Sequence, residues 1–336
     1  MKKTNFKSYF VPALLAVLFT AAPVFAADSS LLGGSFTDSV ISARAAGLGG
    51  AFTAVADDAN ASWWNPAGLA LLGKDKTISA TYIPQIFADV KGLSDMLITY
   101  GQGDLFGFGA LGGSVRYLNC EIAADYTGDT SYKWSEFTVL LSWAMQVEKY
   151  IGLSKFSFPK IAVGVNLKYF GNNTDLKLGT EKITASGFGA DLALMFALKE
   201  NMRLGITAKN IVSQATWQTG TKESLPYELI GGFYYGFTSD FMMSFDGRFI
   251  QNDKGSPEFN SVSGGAEYTM NFGKAAQVQK AALRAGITYI PAQDSFTAAA
   301  GASIAMETFS VDYAYQHYIR SETNVNNHRF GLTIYF

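Results

Sequence analysis

The 336-residue sequence has a single cysteine, Cys120, and two histidines, His317 and His328. One thiol excludes a disulfide framework, and none stands where a lipoprotein anchor would need it. Neither histidine has a serine nearby in a recognisable nucleophile motif, so no hydrolase triad is expected and the chain reads as a non-enzyme. Charged residues make up 16% of the chain, against roughly 25% in soluble domains, and the formal net charge is -2. That balance leaves no basic surface for nucleic acid or for a polybasic membrane contact. Past the N-terminal leader no segment approaches about 18 uninterrupted apolar residues, so no transmembrane helix is expected. Gly47-Leu48-Gly49-Gly50 lacks the third glycine and the preceding strand of a dinucleotide loop. Asp57, Asp58 and Asn60 lack the loop pattern of a calcium site, and neither a metal nor a cofactor is expected.

What is present begins with an export signal. Lys2, Lys3 and Lys7 give a basic start, Val11 to Ala22 an apolar run, and Val24-Phe25-Ala26 a small-x-small cleavage site. Residues 1–26 therefore read as a secretory signal peptide, cleaved after Ala26 or Ala27. The run is short of the ~20 residues a retained anchor needs. Aromatics at 14% and 34 glycines describe a chain rich in β-formers and tight turns. An exported chain this apolar, without a helical span, either packs a large soluble core or closes into a barrel.

Alternation favours the barrel. Phe330, Leu332, Ile334 and the terminal Phe336 share one face, while Arg329, Gly331, Thr333 and Tyr335 share the other. The pattern recurs with charges on the second face. Lys168 opposes Val163, Val165, Leu167 and Tyr169; Asp246 and Arg248 oppose Met243, Phe245 and Phe249; Arg284 opposes Leu283, Ala285 and Ile287; Asp312 opposes Val311 and Tyr313. A lipid-facing exterior around a polar lumen asks for this arrangement, with Asp191, Arg203, Lys209, Glu267 and Arg329 also placed inside. Tyr117, Trp134, Tyr169, Trp217, Tyr227, Tyr289 and Tyr318 are candidates for interfacial girdles. Candidate strands lie near 77–88, 94–101, 104–118, 134–147, 160–172, 183–198, 202–211, 226–237, 239–251, 259–271, 280–291, 295–306, 308–320 and 327–336, which makes fourteen. The expectation is an all-β fold: a monomeric, 14-stranded antiparallel transmembrane β-barrel over residues 74–336 in a bacterial outer membrane.

A lumen of that size needs filling. Residues 27–73 are the candidate filler, an N-terminal hatch plugging the lumen. Ser39 to Ala56 suits a short helix or compact loop, its small residues allowing close approach to the wall. Asp57 and Asp58 are candidates for pairing with lumen arginines or lysines. Pro66 pushes Asn65 toward an extended conformation just before the sheet. Trp63 and Trp64 are a candidate ligand pocket, with plain packing against the wall as the commoner role for such a pair.

The segment ARAAGLGGAFTAVADDANASWWNPAGLA resembles the N-terminal signature of the PorV-like family, relatives of the FadL long-chain fatty acid transporters of bacterial outer membranes. LGITAKNIV from Leu204, LPYELIGGFYY from Leu225, LRAGITY from Leu283 and Val311-Asp312-Tyr313-Ala314-Tyr315 resemble later family blocks. The resemblance implies a 14-stranded barrel with a hatch, through which hydrophobic small molecules such as fatty acids pass by diffusion without covalent chemistry. Carried onto this chain, the hatch motif comprises Arg44, Gly47, Gly49, Gly50, Asp57, Asp58, Asn65, Pro66 and Ala67. The implied partners are a hydrophobic ligand, outer-membrane lipid and the barrel-assembly machinery. The PorV branch implies an alternative, a secretion-system component that binds secreted protein cargo.

Overall fold

The computed structural model describes residues 41–336 apart from 74, 85–89, 106, 123–130, 150–159, 176, 179–180, 253–254 and 320–324. The signal peptide assigned to 1–26 and hatch residues 27–40 lie outside the described residues. Fourteen long strands form the wall: β1 Lys76–Pro84, β2 Val90–Gln102, β3 Ala110–Ile122, β4 Tyr132–Gln146, β5 Lys160–Thr174, β6 Ala185–Lys199 and β7 Met202–Trp217, then β8 Glu228–Gly236, β9 Phe241–Gln251, β10 Pro257–Asn271, β11 Lys280–Ile290, β12 Ser295–Ala305, β13 Phe309–Ile319 and β14 Val325–Tyr335. Each pairs antiparallel with the next, and β14 pairs back onto β1 with Thr77 opposite Tyr335 and Tyr82 opposite Phe330. The sheet is therefore a closed barrel. Lys222–Glu223 adds a short piece to β7, and Lys177–Leu178 with Glu181–Lys182 makes a small separate hairpin.

The period-two alternation sets which way each side chain points. Thr77, Ser79 and Thr81 of β1 are buried inside, while Ile78 and Tyr82 are exposed outside. On β5 Asn166 and Lys168 point in and Leu167 and Tyr169 point out; on β14 Arg329 and Thr333 point in and Phe330, Leu332 and Ile334 point out. An outer surface of Ile, Leu, Val, Phe and Tyr around a polar interior makes this a transmembrane barrel of the outer-membrane type. Tyr117 and Tyr169 belong to the outer surface, but Trp217 is buried and Trp134 donates its indole N–H to the buried Glu136 at 2.7 Å. Trp134 and Trp217 are thus lumen residues rather than girdle residues, because each shares the parity of its strand's buried positions.

Two boundaries differ from the alternation pattern by more than four residues. The third strand starts at Ala110 and not at 104, because Gly107 and Gly109 take φ of 74° and 101° and the Leu105 N–H donates to the Gly109 carbonyl at 2.6 Å, forming a turn. The seventh strand continues to Trp217 past the expected end at 211, through an irregularity at Asn210 with φ 57°. Residues 85–88 of the expected first strand lie outside the described residues.

The hatch fills the barrel. Helix α1, Ala43–Gly47, is capped by Ser42, whose Oγ accepts from the Ala45 N–H; α2 is Ala61–Trp64, and a 3-10 turn covers Pro66–Leu71. Proline at the first turn costs no hydrogen bond, and the Asn65 Oδ1 accepts from the Ala67 N–H at 3.1 Å. Leu48, Phe52, Val55, Trp63, Trp64 and Leu69 of the hatch form one apolar cluster with Leu97, Leu140, Met195 and Met242 of the wall. The main core of the molecule is therefore the hatch–wall contact.

That contact depends on inward glycines. A β-carbon on Gly286 would fall on the Leu48–Gly49 backbone, and one on Gly265 would stand 2.5 Å from the Leu48 carbonyl oxygen. Gly231, on the outward face of β8, has open space around it. Valine at Gly286 should therefore expel the hatch at a cost of about 1–3 kcal/mol or more, whereas Gly231→Val should leave it seated. Protease cleavage of the hatch in folded, heat-modifiable barrels checks this: equal protection of the two variants would contradict it.

Candidate functional site

Strand directions divide the interior into two levels. Odd-numbered strands run away from the rim that carries Lys76 and Tyr335, and even-numbered strands return to it. Arg203 on β7, Glu267 on β10, Arg284 on β11 and Asp312 on β13 all lie close to this rim. Lys168 on β5, Lys209 on β7, Glu228 on β8 and Arg248 on β9 lie farther toward the opposite rim.

At the first level the hatch is tied to the wall by charge. Arg44 Nη1 bonds Asp57 at 2.7 Å and Asp58 at 2.9 Å, and its Nε bonds Glu267 at 3.3 Å. Asp57 also meets Arg203 at 3.2 Å, while Arg284 bridges Glu267 at 2.5 Å and Asp312 at 2.8 Å. Asp57 thus pairs with a wall arginine, whereas Asp58 pairs with an arginine of the hatch itself. The two-acid sequence is the counter-charge for Arg44, which the hatch thrusts between its own carboxylates and the wall's. Burial on its own would raise the Asp57 carboxyl; the guanidiniums of Arg44 and Arg203 outweigh it and hold it at about 2, below its usual 3.8.

A second tie is uncharged on the hatch side. Asp246 accepts from the backbone N–H groups of Phe52 at 3.1 Å and Thr53 at 2.9 Å, and Ser244 donates to the Ala51 carbonyl at 2.7 Å. Behind it, on the outside of the wall, Gly231 and Gly247 floor a shallow apolar groove of about 420 Å³ rimmed by Leu204, Ile206, Phe245 and Val262. Close packing and hydrogen bonds complete the seat. A β-carbon on Gly47 would stand 3.2 Å from the Arg284 Cβ, and one on Gly49 2.7 Å from the Ile287 nitrogen. Gly49 and Gly50 take φ of 65° and 86°, reversing the chain after α1. The Asn65 amide donates to the Thr53 carbonyl at 2.9 Å and to the Leu194 carbonyl at 3.2 Å. Pro66 and Ala67 pack against Gly164.

The second level is a buried polar cluster above α2. Lys168 pairs with Asp191 at 3.0 Å and donates to the Asn210 Oδ1 at 2.6 Å; Arg248 pairs with Glu228 at 2.7 Å. A bulge opposite Asp191 puts both Lys209 and Asn210 on the inner side, the Asn210 N–H donating to Asp191 at 2.9 Å. Lys209 is buried, and its Nζ lies 5.9 Å from the centre of the Trp63 ring. Among the described residues it has no ion-pair partner within 4.0 Å, so three cations share two carboxylates. Trp63 and Trp64 are each 5% exposed and packed instead of lining an open cavity, Trp64 lying edge-on to Phe52 at 5.8 Å. Their indole N–H groups are buried and without a hydrogen-bond partner. Arg329 is buried on the lumen side.

The sequence reading missed Glu228 and the buried pair Arg116–Asp95 at 2.8 Å. Arg116 shares the parity of Ser114, opposite the outward Val115 and Tyr117, and that was the signal available for it.

The backbone matches solved barrels. The chain has the FadL-type fold. A monoaromatic hydrocarbon channel, CymD, superposes with a TM-score of 0.63 at 14% identity over 88% of this chain and 97% of that one. A FadL homologue from Pseudomonas aeruginosa gives 0.58 at 10% identity over 89% and 98%, and the Ralstonia pickettii toluene transporter TbuX gives 0.52 at 15% over 83% and 92%. No protein-family model matches the sequence, and no curated protein matches it.

Removing the first-level tie should loosen the hatch. In planar bilayers Asp57→Asn/Asp58→Asn is expected to raise ion conductance at pH 7, and unchanged conductance would sink this role. Because the folded Asp57 value is the depressed one, the wild-type tie is intact above about pH 4 and is lost as pH falls from there toward 2. Loss of this tie should therefore add to wild-type conductance only below about pH 4, and Asp57→Asn/Asp58→Asn should lack that acid-dependent rise.

Proposed function

We propose that this barrel admits hydrophobic small molecules across the outer membrane by diffusion, that long-chain fatty acids are its cargo, and that the hatch gates their passage. The observation that carries this is the Lys209 ammonium, buried above α2 beside an indole face and without a counter-ion in bonding range among the described residues. A buried cation is costly without a partner. A carboxylate head would supply one, with Trp63 giving an apolar wall and an unsatisfied N–H. The neighbouring folds described as a monoaromatic hydrocarbon channel and a toluene transporter support passage of apolar molecules in general.

Gating follows from what holds α2. The Ser62 carbonyl accepts from Asn166 at 3.0 Å, the Trp64 carbonyl accepts from Thr207 at 3.2 Å, and the Ser62 hydroxyl meets the Gly113 carbonyl at 3.2 Å and the Ser114 hydroxyl at 2.5 Å, so the polar ties of α2 to the wall are neutral hydrogen bonds. Each is worth about 0.5–1.5 kcal/mol net. A ligand that engages Lys209 and Trp63 competes locally with bonds of that size, whereas the charge tie at the other level keeps the hatch in the barrel. The proposal assigns no covalent chemistry and no energy source.

Binding of a fluorescent long-chain fatty acid to the refolded, detergent-solubilised protein tests the reading, with Lys209→Met alongside. Saturable binding that weakens roughly tenfold in Lys209→Met, about 1.4 kcal/mol, is the expected result. Absence of binding by a folded wild-type barrel would overturn the function; equal binding by the variant would overturn the role of Lys209 alone.

A further inference from the structure

On the outer wall both histidines of the chain lie on β13 and β14, facing outward in one polar ladder toward the rim opposite Lys76 and Tyr335. Tyr313 Oη and His328 Nδ1 are 2.8 Å apart; Tyr315 Oη donates to Asn326 Oδ1 at 2.8 Å; His317 Nδ1 lies 2.7 Å from the same oxygen. The Tyr315 and His328 rings lie 5.4 Å apart, joining the two halves. Tyr313 to His317 spans four residues, about 13 Å of wall at ~3.3 Å per residue. Lipid-facing strands are expected to be apolar over such a stretch.

An amide oxygen only accepts, so His317 donates through Nδ1–H to Asn326, and the Nε2 of the neutral ring is a bare acceptor. Among the described residues neither that Nε2 nor the Asn326 Nδ2 has a partner. Polar atoms turned toward hydrocarbon without partners are costly. The ladder has dissimilar flanks. On β12 Ala298, Ala300 and Ala302 make a flat exposed lane; on β1 Tyr82 projects, half exposed.

We infer that this face is the two-fold contact of a homodimer in the membrane, the occupant being a second copy of the same chain. A two-fold axis along the membrane normal brings the left side of one face against the right side of the other. Centred on the ladder, it sets the bare His317 Nε2 of each barrel toward the Asn326 Nδ2–H of its partner, so the same donor–acceptor match is made twice. The same rotation lays Tyr82 of each barrel over the alanine lane of the other. Small residues that permit close approach, together with polar side chains that bond across, are the features that hold protein to protein where the solvent is lipid. The inference replaces the lone barrel expected from the sequence, and it does not depend on what the lumen carries.

The test places a photo-crosslinking benzoylphenylalanine at Tyr82 in cells, with Tyr169 on the far wall as control, and measures native mass in mild detergent. Expected are a self-crosslinked dimer from position 82 and not from 169, a two-barrel mass for the wild type, and a single-barrel mass for His317→Ala/Asn326→Ala that remains heat-modifiable. Single-barrel masses with no product at 82, with or without retained lipid, would overturn the inference. Equal products at 82 and 169 would also overturn it, as random collision. A double variant that does not fold leaves the crosslink pair to decide.

Discussion

Closure of the sheet between β14 and β1 is the constraint on which everything else rests. Inside hydrocarbon every backbone N–H and C=O must find a partner within the protein, and a sheet achieves this only by having no edge. The pairing from Thr77 with Tyr335 to Tyr82 with Phe330 removes the last two edges. Once the ring is closed, alternate residues must face lipid and lumen. An interior bounded by fourteen strands is too wide for side chains alone to fill.

The hatch resolves that excess volume with two kinds of contact. Apolar burial of Leu48, Phe52 and Leu69 against the wall provides adhesion without direction. Charges and glycines provide position. Arg44 sits among Asp57, Asp58 and Glu267, and Gly265 and Gly286 admit the hatch backbone only where their β-carbons are missing. The charged ties lie near the rim that carries Lys76 and Tyr335. The lumen cluster around Lys209 contacts the hatch through neutral hydrogen bonds and an indole face. The hatch is therefore held by charge at one level and by neutral hydrogen bonds and apolar packing at the other.

Much of the wall was legible in the sequence because period-two alternation follows directly from strand geometry. Leu167 and Lys168, or Phe245 and Asp246, announce their faces without any tertiary information. Turns were less legible: Gly107 and Gly109 displace the start of β3 because positive φ is a property of the fold and not of alternation. The Asn210 bulge was invisible for a similar reason, and with it the placing of Asn210 beside the expected Lys209 on the lumen side. The two-acid hatch segment pointed to charge pairing, but its principal partner, Arg44, stands on the same segment thirteen residues from Asp57. Trp134 and Trp217 showed the limit of composition: an aromatic near a strand end looks outward or inward by parity, not by residue type.

The position of α1 bears on the order in which the molecule can be assembled. Ala43 packs against Gly331 of β14 and Gly47 against Gly301 of β12, so the first hatch helix lies against the strands next to the seam, which are the last to be made. A closed ring with hydrogen bonds all the way round offers no side entrance for a folded hatch. A hatch that seats from the side therefore does so inside an open, curling sheet, before the last of the strand pairings closes over it. On this view the hatch serves as the mandrel on which the barrel is wound.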